Sequence, residues 1–107
     1  MQSTNLNQIF SSLSDETRRG ILERLTKDSP LTVSEIAKPY RMSLPAISKH
    51  LNVLEKAELV KREKMGREIR VRILPGSLKK VLEYLEFYKV FWNKQFDLLE
   101  KYLEERK

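Results

Sequence analysis

The twelve residues from Ser43 to Leu54, SLPAISKHLNVL, constrain the fold of this chain more than any other stretch. Ser43 is placed to cap the orphan N–H groups of a following helix, and Pro45 falls in the first turn, where its missing donor is harmless. A helix is therefore predicted from this point. Ile47, Leu51 and Leu54 recur on one face, whereas Leu44, Pro45, Ala46, Ser48 and Lys49 crowd the first turns with small, polar or cationic side chains and point outward. Upstream, Thr32 and Glu35 have the spacing of a capping box, so a helix should begin at Val33 with Val33, Ile36, Ala37 and Tyr40 on a common face. Pro39 should end or kink it near Lys38. Two helices separated by the short turn Tyr40 to Met42 make a helix-turn-helix, in which the second helix enters a DNA major groove N-terminus first.

The charge supports that reading. From Lys38 to Arg72 the chain holds ten Lys or Arg against four Glu, so this segment carries the whole formal net charge of +6 and the remainder sums to zero. A basic segment that coincides with a helix-turn-helix points to double-stranded DNA rather than a membrane surface. A merely solvated basic face is the bland alternative.

The flanks look incomplete by themselves. Asn5 precedes Leu6, Ile9, Phe10 and Leu13, a stripe on a helix too short to be stable alone. Ser14 is the expected cap of a second helix running to about Lys27, with Ile21, Leu22 and Leu25 inward and Gly20 weakening it by about 1 kcal/mol relative to alanine. Beyond Pro75, Gly76 and Ser77 a single long helix is expected from about Leu78 to Glu104. Its apolar positions, Val81, Leu82, Leu85, Tyr88, Trp92, Phe96, Leu99 and Leu103, keep three- and four-residue steps throughout. Such a helix spans about 40 Å, longer than a domain of this size covers with its own core. A homodimer joined through Leu6, Ile9, Phe10, Leu13, Tyr88, Trp92, Phe96, Leu99 and Leu103 would cover it.

Between these parts, Leu59 to Lys64 and Glu68 to Ile73 read as two strands around Met65, Gly66 and Arg67. Ile69, Val71 and Ile73 alternate with Glu68, Arg70 and Arg72, the pattern of a half-buried strand.

The string SLPAISKHLNVLEKAELV followed by this basic hairpin resembles the recognition helix and wing of the arsenical-resistance-repressor (ArsR) type of transcriptional regulators. The likeness extends upstream to SLSDETRRGILERL and downstream to FWNKQFDLLEKYLEE. The resemblance implies a mainly α fold with a small β-hairpin wing: a single winged helix-turn-helix domain over residues 1–107, with dimerisation helices at 5–13 and 78–104, the helix-turn-helix at 33–57 and the wing at 59–73. It implies a repressor that occupies promoter DNA. Base contacts are then assigned to Ser43, Leu44, Pro45, Ala46, Ser48 and Lys49, and phosphate or wing contacts to Thr32, Lys38, His50, Lys61, Arg62, Lys64, Arg67 and Arg70. Arg18 and Arg19 belong to a recurrent TRR segment of that family, and read at least as readily as surface charges on an amphipathic helix. Glycine is usual where Glu58 stands, so Glu58 must adopt a left-handed conformation or alter the cap.

Other chemistry finds little to stand on. Without cysteine there are no disulfides, thiolate sites or thiol switches. Family members that sense metals through Cys-x-Cys have that pair where Thr32 and Ser34 stand here, and His50 is the only histidine, so no metal site and no cofactor are expected. No nucleophile with a base and no glycine-rich phosphate loop is present, so an enzyme is not expected. The aromatic set Tyr84, Phe87, Tyr88, Phe91, Trp92 and Phe96 suits a core or dimer interface better than a pocket for an aromatic effector. With neither a signal peptide nor a long apolar run, the expected location is the cytoplasm. Two functions of other classes remain in competition: a winged-helix module that binds proteins, and an architectural DNA binder without sequence preference.

Overall fold

The computed structural model describes residues 6–106; Asn5, at the head of the first apolar stripe, lies outside them. In chain order it contains α1 (Leu6–Leu13), α2 (Glu16–Lys27), β1 (Leu31–Thr32), α3 (Val33–Ala37), α4 (Leu44–Lys56), β2 (Val60–Met65), β3 (Glu68–Ile73) and α5 (Gly76–Glu105). The three strands form one antiparallel sheet in the order β1-β3-β2. β1 is a finding of the structure. Two residues are too short to show a strand period, yet Leu31 pairs with Val71 and Thr32 with Arg70, which anchors the hairpin to the head of α3.

The core forms where the inner faces of these elements meet. Ile9 of α1, Ile21 and Leu25 of α2, Ile36 of α3, Ile47, Leu51 and Leu54 of α4, and Leu59, Val60 and Val71 around the sheet are all buried, with Val81 from the start of α5. Ile9 is 0% exposed within its own chain, which corrects its assignment to a dimer surface: its side chain is used up in the core. The half-buried pattern of β3 also holds only near its base. Val71 is buried and Ile73 partly so, but Ile69, toward the hairpin tip, is 48% exposed.

Helix ends explain several residues. Thr32 and Glu35 make the complete capping box, the Glu35 N–H donating to the Thr32 hydroxyl at 3.1 Å and the Thr32 N–H to the Glu35 carboxylate at 2.8 Å. The cap of α2 is Asp15 rather than Ser14. Asp15 is extended and accepts from the Arg18 N–H, whereas the Ser14 hydroxyl turns back and donates to the Ser11 carbonyl. Arg18 and Arg19 satisfy the open carbonyls at the end of α1, Arg18 donating to Ser11 and Ser12 and Arg19 to Leu13. Arg24 does the same for α3 through Glu35 and Ile36. Glu58 adopts the left-handed conformation, with φ 56°. The α5 helix starts at Gly76, and the buried Ser77 hydroxyl donates to the Ala57 carbonyl, fastening its root to the end of α4.

From that root α5 runs out of the body, giving the chain dimensions of 64 × 35 × 20 Å. Only Ser77 and Val81 of its thirty residues are buried.

Candidate nucleic-acid interface

The start of α4 stands open between α3 and the wing. Ser43 is the N-cap, its hydroxyl accepting the Ala46 N–H at 3.3 Å, and Pro45 occupies the first turn. Ile47, Leu51 and Leu54 hold the helix to the core, which turns the opposite side outward: Leu44, Pro45 and Lys49 are exposed, with Ala46 and Ser48 at the margin. A cleft of about 470 Å³ separates this end from the wing, bordered by Thr32, Val33 and Ser34, by Leu44, Pro45 and Ser48, and by Arg62, Arg67, Glu68 and Ile69.

The cations assigned to phosphate divide into two groups. Lys38 at the end of α3, Lys61 and Lys64 on β2, and Arg67 in the hairpin turn are exposed, and of these Arg67 borders the cleft. Gly66, with φ 67°, forms that turn, a conformation glycine reaches without a Cβ penalty. Arg70 is part-exposed, 3.5 Å from Glu68, while Arg72 forms a cross-strand pair with Glu63 at 3.0 Å.

Arg62 and the Nδ1 atom of His50 are committed inside the chain. The Arg62 guanidinium donates to Glu55 at 2.8 Å, to the Ser48 hydroxyl at 3.1 Å and to the Asn52 carbonyl oxygen, and its backbone N–H donates to the second Glu55 oxygen at 3.1 Å. Burial raises the Glu55 pKa, but these Arg62 hydrogen bonds and the adjacent positive charge outweigh it and hold the carboxyl below its ordinary range. His50 faces α2, where the Arg18 guanidinium donates to Nδ1 at 3.2 Å. A guanidinium has no acceptor, so the imidazole in this contact carries its proton on Nε2. The Asp15 carboxylate lies 3.8 Å from the same nitrogen. Asn52 and Glu55 did not emerge from the sequence as site residues. Their signal was a polar line with Ser48 at four- and three-residue steps along one side of α4.

The second surface lies on α5. Tyr88, Trp92, Phe96, Leu99 and Leu103 are each 37–56% exposed, and a groove of about 640 Å³ runs past Leu82, Tyr84, Leu85, Tyr88, Trp92 and Phe96. Phe10 of α1 joins it edge-on to Tyr84, with centroids 6.0 Å apart, while Leu6 and Leu13 pack partly onto the core. Among the described residues, no group of three or more His, Cys, Asp or Glu is gathered closely enough to hold a metal ion. The Thr32 hydroxyl, at a thiolate position of the metal sensors, is engaged by Glu35. No helix among the described residues is long and apolar enough to cross a membrane.

Residues 13–63 match the family described as a helix-turn-helix domain. The chain is 33% identical over 84 residues to the transcriptional repressor SdpR of Bacillus subtilis, covering 75% of this chain and 92% of that protein. It superimposes on the crystal structure of the ArsR family transcriptional regulator RHA00566 with a TM-score of 0.76 and 39% identity, over 82% of this chain and 90% of that one. The chain belongs to the ArsR family of transcriptional regulators. An ArsR-like transcriptional regulator from Rhodococcus sp. RHA1 agrees, with a TM-score of 0.74 and 37% identity over 94% of this chain and 91% of that one. Within this ArsR-family chain, α3 and α4 are the helix-turn-helix, and β2 and β3 are the wing.

Proposed function

We propose that the protein is a homodimeric repressor that occupies an inverted-repeat operator in the cytoplasm. The observation that carries this reading is the meeting of the outward end of α4 and the exposed wing residue Arg67 on one cleft, with Lys38, Lys61 and Lys64 exposed on the flanking elements. Leu44, Pro45, Ala46, Ser48 and Lys49 meet base edges, with Leu44 suited to a thymine methyl, and Ser43 holds the helix N-terminus toward the backbone. Thr32, Lys38, Lys61, Lys64, Arg67 and Arg70 track phosphates. Arg62 acts indirectly, because its guanidinium is engaged by Ser48, Asn52 and Glu55, whereas His50, bonded to Arg18 through Nδ1 alone, keeps its Nε2–H for a phosphate. The bare side of α5, with Phe10, meets its twofold mate and sets two recognition helices about 34 Å, or a multiple of it, apart. The proposed activity is binding, without catalysis and without a metal or cofactor.

Competition binding tests the reading. A duplex selected from a random pool should outcompete random duplex by at least about a thousandfold at fixed salt, and Ser48→Ala with Lys49→Ala should erode that ratio. Equal affinity for all duplexes would favour an architectural binder, and no affinity a protein-binding module.

A further inference from the structure

One side chain ties the wing to the recognition helix and sets the polarity of what that helix displays. Ser48, Asn52 and Glu55 form a line along the side of α4 toward β2, and Arg62 closes onto all three. Glu55 keeps it there, accepting from the guanidinium at 2.8 and 3.2 Å and from the Arg62 backbone N–H at 3.1 Å. Because a guanidinium only donates, each group it touches must offer a lone pair. Asn52 therefore turns its carbonyl oxygen toward Arg62, which leaves its NH2 for other partners. Ser48 likewise accepts, which leaves its hydroxyl hydrogen to point elsewhere. Asn52 is exposed, one turn beyond Ser48 and on the same side of α4 as Pro45, and both Pro45 and Ser48 border the cleft.

We propose that Asn52 reads a base, and that Arg62 is a positioning residue which, by holding the Asn52 carbonyl oxygen, turns the Asn52 NH2 outward and so favours the acceptor edge of guanine. This rests on the DNA-reading function proposed above. An asparagine free to rotate pairs with adenine through both ends of its amide, accepting from N6 and donating to N7. With the carbonyl oxygen turned to Arg62 and one of its two lone pairs taken, that two-ended pairing is disfavoured. Guanine, with acceptors at both O6 and N7, matches the outward NH2, whereas the N4 amino group of cytosine would have to share the oxygen already bonded to Arg62. Arg62 itself touches no DNA; removing it should alter which base is preferred rather than weaken all duplexes alike.

The test uses the full chain. Duplexes selected from a random pool by the wild type should carry guanine at one position of each half-site, and 7-deazaguanine there, which lacks the N7 acceptor, should weaken binding roughly fivefold or more. Asn52→Ala should bind the guanine and deazaguanine duplexes equally. Arg62→Gln, whose amide can accept as well as donate, should admit adenine at that position to within a few fold of guanine. Asn52→Ala changes an exposed side chain and keeps the test decisive should Arg62→Gln fail to fold. A wild type that prefers adenine at every position sensitive to Asn52→Ala would overturn the proposal, as would an Asn52→Ala protein with an unchanged base profile. So would folded Arg62→Gln with the wild-type profile. A wild type that selects no sequence would instead refute the DNA-reading function, and the inference would fall with it.

Discussion

Gly20 sits in the middle of α2, where replacement by alanine would ordinarily stabilise a helix by about 1 kcal/mol. Here the gain should be cancelled or reversed. A Cβ at Gly20 would lie 2.7 Å from the Tyr40 hydroxyl oxygen, closer than real Cβ contacts come, and 3.9 Å from the Tyr40 Cζ, an ordinary contact. Tyr40 packs partly against the core, and Pro39 restricts the backbone before it, but a cleft bordered by Thr17, Gly20, Glu23 and Tyr40 lies beside the ring, so how far the ring can shift sets the cost. Overpacking of this kind costs about 1–3 kcal/mol. Gly20→Ala should therefore leave stability unchanged or lower it by up to about 2 kcal/mol, the difference between that cost and the helix gain. In a Tyr40→Phe background the clashing atom is gone, and the same substitution should stabilise by about 1 kcal/mol. The coupling between the sites should thus be about 1–3 kcal/mol. Urea unfolding of the four proteins, followed by far-UV circular dichroism at one protein concentration, measures it. Equal stabilisation by Gly20→Ala in both backgrounds would show that Tyr40 does not constrain Gly20, and the reasoning would fail.

Trp92→Asp with Leu99→Asp should give a monomer by sedimentation and lose tight operator binding; an unchanged dimer would refute the α5 interface. Arg67→Ala should weaken all duplexes alike and reduce the magnitude of the slope of log K against log salt by about 1, while altering stability by less than about 0.5 kcal/mol. Zinc, copper and nickel titrated at micromolar concentration should leave the operator complex intact, with stoichiometric release counting against the expectation drawn from Thr32, Ser34 and His50. Acid should loosen the caps of α2 and α3. The Arg18 backbone N–H holds the Asp15 carboxyl below its ordinary pKa, and the Thr32 N–H and hydroxyl do the same for Glu35. Their contribution is complete above the unfolded pKa values, about 4, and is lost as pH falls through the depressed folded values. Thermal melts from pH 7 to pH 3 should show this decline, and Asp15→Asn with Glu35→Gln should flatten it; an unchanged slope in the double variant would contradict the assignment.

The helices were legible because their signals are local. Pro45 and Ser43 mark the start of α4 within one turn, Thr32 and Glu35 need only each other, and the steps from Val81 to Leu103 declare α5 whatever surrounds it. The concentration of charge between Lys38 and Arg72 is likewise a property of the chain, and it coincides with the helix-turn-helix before any packing is known. These features, with the resemblance carried by SLPAISKHLNVL and its hairpin, were enough for the fold class and the family.

Packing decided the roles that depend on residues distant in sequence. Ile9 looked like a surface stripe with Phe10, but the tilt of α1 against α2 and α4 buries Ile9 and leaves Phe10 against Tyr84. Ser14 and Asp15 are both good caps, and only the direction of the chain leaving α1 chose between them. Arg62 had the composition of a phosphate contact. Its neighbours Ser48, Asn52 and Glu55 lie seven to fourteen residues away, and hydrogen bonds across that gap exist only once β2 lies beside α4. A residue's propensity and periodicity are written in its immediate neighbours, whereas which lone pair its donors meet is set by the approach of two elements, which no local pattern encodes.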